Sequence, residues 1–346
     1  MSADSLSVAI LGPEKYNEWD QFVCKSEQGD VFCYSWWLDA ATKSNFKLYA
    51  LLSNGGIVAG FPAALDTNNK INEPPLTRTL GVLYIPQLHL PEDKRSEIER
   101  KWLMQLLEYI PLRDFVQICT HHNFNDWLPF RWKGLKQTTR YTYLLNYHSK
   151  TVSDLKTNLS RGKKSNINRA VRNGLRVEES DDPELLYNFT ELSYKRQGLK
   201  FKFPYPDFKL LDEAARNKGS RLILKAADIK GRTHAAVYIV FTDKSAYYLL
   251  GGSDPDCRKM GGHTLALWEA VKFFCGKADY FNFGGSDIKP VEEHIKGFGG
   301  TMTPYFNIYN DRLMHYTEIR YHLREMLFHL KRVAMAFRFK YLANRK

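Results

Sequence analysis

Long apolar runs are missing from this chain of 346 residues. No stretch approaches the roughly 20 apolar residues that a membrane-crossing helix needs. Residues Met1 to Leu11 place no basic region ahead of an apolar stretch, so no signal peptide is expected. Cysteine is scarce: Cys24, Cys33, Cys119, Cys257 and Cys275 are odd in number, and none falls in a CxxC spacing. That argues against a disulfide framework and a thiolate zinc site, and for a reducing, cytoplasmic setting. Histidines such as His121, His122, His263, His294 and His329 lack a ligand spacing, so no metal is expected. Nucleophile-elbow, Walker and Rossmann signatures are absent as well. What is present, 44% hydrophobic and 14% aromatic residues, fills real cores and excludes global disorder. The length implies about two domains.

Acid is absent where base is dense. Residues 156–176 carry Lys156, Arg161, Lys163, Lys164, Arg169, Arg172 and Arg176 with no Asp or Glu, and residues 315–346 set eight Lys or Arg against Glu318 and Glu325. These segments hold slightly more than the whole net charge of +12, so the remainder is near neutral. A local excess of this kind points to specific anionic partners rather than to general solubility.

The pattern along the chain predicts an α/β protein. Val8–Leu11 is expected as a strand, with helices over Pro13–Lys25 and Tyr34–Lys43. Phe46–Leu52 and Ile57–Leu65 flank Ser53-Asn54-Gly55-Gly56, a hairpin signal, and Asn72–Thr77 is expected as a loop. Glu92–Ile110 is a predicted helix, Phe115–Cys119 a buried strand, and Thr139–Leu145 the last strand of the first half. One helix is expected over Ser153–Asn173, with Leu155, Leu159, Ile167, Ala170 and Val171 on its apolar stripe and Gly174 past its end. Helices over Pro183–Gln197 and Pro206–Asn217 precede strands at Arg221–Asp228, His234–Thr242 and Ser245–Leu250. Gly261–Cys275 (helix), Tyr280–Phe283 (strand), Lys289–Lys296 (helix) and Tyr305–Tyr309 (strand) complete the second half. The similar order of elements in the two halves is that of a duplication, with the boundary at Asn146–Val152.

The most informative stretch is Tyr247 to Phe274. A strand ending in Leu250, Gly251 and Gly252 leads through a polar loop to Arg258-Lys259-Met260-Gly261-Gly262-His263 and an apolar helix. Glycines at a helix start let unpaired amides approach a ligand, and with the helix dipole they suit phosphate; Arg258 adds a cation. The plainer reading of the same residues is a turn and a helix start.

This stretch resembles the GNAT acyltransferase superfamily, which places a (Gln/Arg)-x-x-Gly-x-(Gly/Ala) segment here. Arg258, Gly261 and Gly262 fit it, and His263 departs from it at the last small position. The basic helix Arg161–Gly174, Thr190 with Arg196-Gln197-Gly198, Tyr247–Gly252, Leu267-Trp268-Glu269, Asn282–Ser286 and Ile295–Gly300 resemble the Fem-like branch of that superfamily. The resemblance covers roughly residues 150–310. It implies two tandem GNAT-like domains, each a mixed twisted sheet flanked by helices, over residues 1–150 and 151–312, the second holding the acyl-donor site. A basic amphipathic helix over residues 313–346 would pack on the first domain.

The implied activity is N-acyl transfer from acyl-CoA to a primary amine, such as an amino sugar or a cell-envelope precursor. The resemblance gives the pyrophosphate to Arg258, Gly261, Gly262 and His263, with Leu250 and Gly251 beside the acyl group. It gives Lys296 a role at the reacting carbonyl, where a cation stabilises an oxyanion; the plain alternative is a surface lysine at a helix C-terminus. Arg161, Arg169, Arg172 and Arg196 are candidates for the phosphates of a nucleotide-linked acceptor or of tRNA. Candidates for the base are Glu269, Asp254 and Asp287. Aminoacyl-tRNA is the alternative donor. Where some relatives carry a lysine one turn beyond a first-domain tryptophan, this chain has Ala41 after Trp37. A non-catalytic nucleic-acid or membrane-binding protein is the third reading, since fold alone does not fix activity. The C-terminal stripe also suits peripheral contact with the inner face of a membrane.

Overall fold

A computed structural model describes residues 6–312. The expected C-terminal helix, residues 313–346, lies outside the described residues. The first half opens with β1 (Ser7–Leu11), α1 (Tyr16–Lys25) and α2 (Ser35–Thr42). The hairpin β2 (Phe46–Ser53) and β3 (Gly56–Ala64) turns through Asn54 and Gly55, both at positive φ, as such tight turns require. Two short strands follow, β4 (Ile71–Asn72) and β5 (Leu83–Tyr84), then α3 (Glu92–Tyr109), β6 (Phe115–Cys119), α4 (Leu128–Trp132) and β7 (Lys136–Asn146).

The basic segment is two helices rather than the single one expected. α5 (Val152–Asn158) carries a capping box between Thr151 and Asp154, and α6 (Arg161–Arg172) starts afresh at Ser160, whose hydroxyl accepts the Lys163 amide. The break lies at Leu159-Ser160, where a new N-cap competes with helix continuation. Beyond it come β8 (Arg176–Glu179), α7 (Pro183–Arg196), α8 (Tyr205–Asn217), β9 (Arg221–Ala227), β10 (Thr233–Phe241) and β11 (Ser245–Ser253). The chain then forms α9 (Gly262–Phe274), β12 (Tyr280–Asn282), α10 (Lys289–Lys296) and β13 (Thr301–Tyr309).

Two sheets result: an antiparallel one ordered β1-β2-β3-β5, and a nine-stranded one ordered β4-β6-β13-β7-β12-β11-β10-β9-β8. The larger sheet crosses both halves by exchange of strands. β7, expected to close the first half, lies between β12 and β13 of the second, pairing Phe281 with Leu145 and Thr301 with Leu144. In return β13 pairs with β6, Ile308 opposite Ile118. Local hydrophobic alternation shows a strand but not which sheet it joins, so the sequence left this exchange unseen.

One core fills the first half and another packs α9 on the large sheet. A third joins the halves: Val31, Phe32 and Trp37 pack with Leu186, Phe208, Tyr238 and Tyr247. A buried polar knot ties the same seam. Asp30 accepts from the Phe32 amide at 3.0 Å, from Tyr247 Oη at 3.0 Å and from the Thr79 hydroxyl. Burial is the largest influence on the Asp30 carboxyl and pushes it up to about 6 against these donors.

Candidate functional site

The large sheet opens at its centre. β11 and β12 run parallel from the pair Ser245–Tyr280 to Tyr247–Asn282, and there β12 ends. β11 continues to Ser253, so its edge from Tyr248 onward has no strand on that side. Within this free stretch the pairing with β10 shifts: Tyr238 faces Leu250 and Ile239 faces Tyr248, which leaves Leu249 as a bulge. Bulges re-aim backbone groups beside functional sites. Here the Leu249 carbonyl accepts from Arg78 Nη2 at 3.2 Å, a contact from the first half across the opening.

The glycines of the nominated loop do structural duty that the sequence alone did not reveal. Gly261 has φ +87°, and a Cβ there would meet the α6 carbonyl of Asn166 at 2.5 Å. A Cβ on Gly262 would meet His234 Cβ at 3.2 Å and Ala226 Cβ at 3.4 Å, so this glycine seats α9 on the sheet. Gly251 leaves room for a side-chain pair, since its Cβ would lie 2.6 Å from Tyr248 Oη and 3.0 Å from His263 Nε2. The start of α9 has Gly261 as its N-cap and no side-chain cap, which leaves its first amides and the positive end of its dipole for a ligand.

Around that helix start the structure gathers basic side chains. His263 Nε2 is 3.0 Å from Tyr248 Oη. The His294 ring lies 5.2 Å from that of His263, and His294 Nδ1 is 2.7 Å from Lys163 Nζ. Lys163 is 6% exposed, and its Nζ stands 4.4 Å above the Phe298 ring. Burial draws the Lys163 amine down to about 7. His263 is lowered to about 4 by burial and then by Lys163, Arg196 and Arg258; His294 is lowered by the same kind of surroundings. The Arg196 guanidinium is lowered by burial and by Arg258. Among the described residues no carboxylate forms an ion pair with Lys163, Arg196 or Arg258.

The residues singled out from sequence fall into two groups. Arg258, Gly261, Gly262, His263, Gly251 and Arg196 gather at the start of α9, and Leu250 lies on β11 next to Gly251. Lys296 is exposed at the C-terminal end of α10, and Arg161, Arg169 and Arg172 lie on the exposed face of α6. A further lysine of the basic segment, Lys163, is buried beside His294. The Lys296–Gly300 turn is its seat: a Cβ on Gly297 would meet Lys163 Cε at 2.9 Å, and the Gly297 carbonyl accepts from the Ser160 amide at 3.0 Å. The signal for Lys163 was in the sequence, because it occupies the apolar stripe with Leu155, Leu159 and Ile167, four residues apart. Glu269 pairs with Lys272 and Asp254 with Arg232, so two of the base candidates are occupied. Ser286 accepts from the Ile288 amide at 3.1 Å, while the N-cap position of α10 is Ile288.

On the far side of the opening lies a second charged group. Glu73 follows β4, Arg78 follows it in the same loop, and Arg140 of β7 faces Tyr305 of β13. Burial pushes the Glu73 carboxyl up to about 7, although Arg140, Cys119 and Arg78 pull it down. Cys119, Tyr305, Asp287 and Glu73 all act on Arg140. Sequence reading missed Glu73 because nothing local separates it from any loop acid. Among the described residues no group of His, Cys, Asp and Glu is arranged to hold a metal ion, and no helix is long and apolar enough to cross a membrane.

Residues 158–294 match the family model for the acetyltransferase (GNAT) domain. No curated protein matches the chain by sequence. Among solved structures, the crystal structure of FemX is similar, with TM-score 0.66 and 15% identity, over 90% of this chain and 99% of that one. A tandem GNAT protein from the clavulanic acid biosynthesis pathway has TM-score 0.51 and 10% identity, over 88% of this chain and 98% of that one. A conserved protein of unknown function from Bacteroides thetaiotaomicron has TM-score 0.52 and 10% identity, over 88% of this chain and all 100% of that one. The two-part α/β architecture seen here is thus one shared with tandem GNAT proteins.

Proposed function

We propose that this chain, a GNAT acyltransferase of the Fem-like branch, moves an acyl group from acyl-CoA to the primary amine of an anionic acceptor, of the amino-sugar or nucleotide-linked envelope-precursor kind. The observation that carries this reading is the cationic mouth at the splay: an uncapped α9 start beside Arg258 and Arg196, with no paired carboxylate among the described residues. Like charges held together cost free energy until an anion joins them. A pyrophosphate supplies that anion, and the helix dipole adds to its hold.

The chemistry that fits is direct aminolysis. The free β11 edge around the Leu249 bulge offers backbone groups for the thioester carbonyl, where fixed donors are worth most as charge develops. Across the opening, Arg78 and Arg140 suit an acidic group on the acceptor, and Glu73 suits removal of the amine proton. Holding both reactants in one cleft supplies the proximity part of the acceleration.

Calorimetric titration with CoA and with acetyl-CoA tests the donor. We expect micromolar binding that weakens at least tenfold in Arg258→Ala. An unchanged affinity in the variant would remove Arg258 from the site, and no binding to the wild-type protein would remove acyl-CoA as donor.

A second reading has its own support. Arg161, Arg169 and Arg172 form an exposed basic face on α6, whose Asn166 carbonyl closes over Gly261. That face suits a longer anion, and aminoacyl-tRNA is the alternative donor it favours. Binding of charged tRNA with a steep salt dependence, lost on replacing the three arginines, would move the case there.

A further inference from the structure

We infer that Arg78 is a positioning residue for the acyl donor: from the first half, it holds the Leu249 bulge of β11 in the form that receives the thioester carbonyl. The inference rests on the acyl-CoA reading above and adds to it the residue that sets the bulge.

The bulge needs an outside hold. The ladder with β10 passes from Tyr238–Leu250 to Ile239–Tyr248 and skips Leu249. β12 has ended by then, so from Tyr248 onward β11 has no strand on its other edge. A peptide outside the ladder on one side and bare on the other is not fixed by the sheet. Two restraints act on Leu249 instead. Its side chain is buried in the core that joins the halves, and its carbonyl accepts from Arg78 Nη2 at 3.2 Å. A charged donor gives the stronger kind of hydrogen bond.

The segment that carries Arg78 is pinned on both sides of it. Arg78 is exposed, between Thr77 and Thr79 at 4% and 8% exposure. Thr77 Oγ1 accepts from Trp37 Nε1 at 3.0 Å, and the Thr79 hydroxyl donates to Asp30. The Leu80 amide donates to the Cys119 carbonyl at 2.7 Å. Just before them Leu76 stands at φ +60°, a left-handed conformation that L side chains rarely adopt. Strain of this kind persists only where the surrounding contacts over-determine it, and it clusters at functional sites. These anchors fix the point from which the guanidinium reaches β11, which distinguishes Arg78 from a loose surface arginine.

Among the described residues Arg78 forms no ion pair. A guanidinium has five N–H donors, and the Leu249 carbonyl takes one of them. The others remain for the acidic group of the acceptor. One side chain thus serves the acceptor side and the acyl side, and a first-half residue shapes the second-half strand at which the thioester lies.

Calorimetric titration with acetyl-CoA and with S-ethyl-CoA tests this, because the second compound has a methylene in place of the carbonyl. The wild-type protein should bind acetyl-CoA roughly twofold to tenfold more tightly, the range of one net hydrogen bond. Arg78→Met keeps an unbranched stem and donates nothing, so its two affinities should become about equal, chiefly through weaker binding of acetyl-CoA. A wild-type preference retained in Arg78→Met, or no preference in the wild-type protein, would overturn the role of Arg78 and leave the donor reading intact. An equal fall in both affinities would do the same, since Arg78 would then support the whole donor site rather than the bulge. Binding of neither compound by the wild-type protein would instead overturn the donor reading, and this inference with it.

Discussion

The residues proposed to decide the chemistry are those whose environment contradicts their charge. Glu73 is a carboxyl raised to about 7 within reach of Arg140 and Arg78, which means that desolvation outweighs both guanidiniums. A base with that value is half ionised near neutral pH and gains activity as pH rises through it. The expected pH–rate profile for amine acylation therefore has an ascending limb near pH 7, set by the Glu73 carboxylate. Glu73→Gln should lower kcat by about 10²–10⁴-fold and abolish that limb. A glutamine variant that retained both rate and limb would assign the base elsewhere. Lys163 is the cationic counterpart, drawn down to about 7 by burial alone. The pair illustrates why composition misleads: residues 156–176 hold seven cations, of which Lys163 is buried. Lys296, the lysine that the family pattern pointed to, is exposed at the head of the turn whose Gly297 packs on Lys163.

Elements with strong local patterns were legible, and those defined by distant partners were not. The hairpin through Asn54-Gly55, the helix Lys289–Lys296 and the helix following Gly261 were predicted because turn glycines and periodicity are local signals. β4, β5 and β8 escaped because strands of two to four residues carry too little alternation to register. The loop Arg258–His263 was found by its glycines, but their closest neighbours are protein: Asn166 of α6 and the strands β9 and β10. The same holds for Gly252, whose Cβ would fall 2.0 Å from the Phe189 carbonyl in α7. Since the obstacle is backbone within a helix, neither side can yield cheaply. Gly252→Ala should destabilise the protein by about 3 kcal/mol, through displacement of α7 from β11. The urea midpoint should fall at constant m-value. A midpoint within error of the wild type would show that α7 can move without cost.

At the scale of the molecule, the exchange of strands makes the two halves one folding unit. A tandem duplication whose copies each closed their own sheet would unfold in two steps, as separate domains do. Here β7 carries first-half residues into pairing with β12 and along the whole length of β13, from Thr301–Leu144 to Tyr309–Lys136. β13 in turn pairs with β6, so removing either half exposes unpaired strand edges in the other. The third core and the Asp30 knot bury first-half side chains against Tyr238 and Tyr247 of the second. The opening depends on the same arrangement, because Glu73, Arg78 and Arg140 come from the first half and Tyr248, His263 and Arg258 from the second. Calorimetric unfolding should accordingly show one transition, with calorimetric and van't Hoff enthalpies that agree. Fragments divided near residue 150 should each remain unfolded alone. Two resolved transitions, or a folded isolated fragment, would show that the shared sheet does not couple the halves. The acceptor side could then move independently of the donor side.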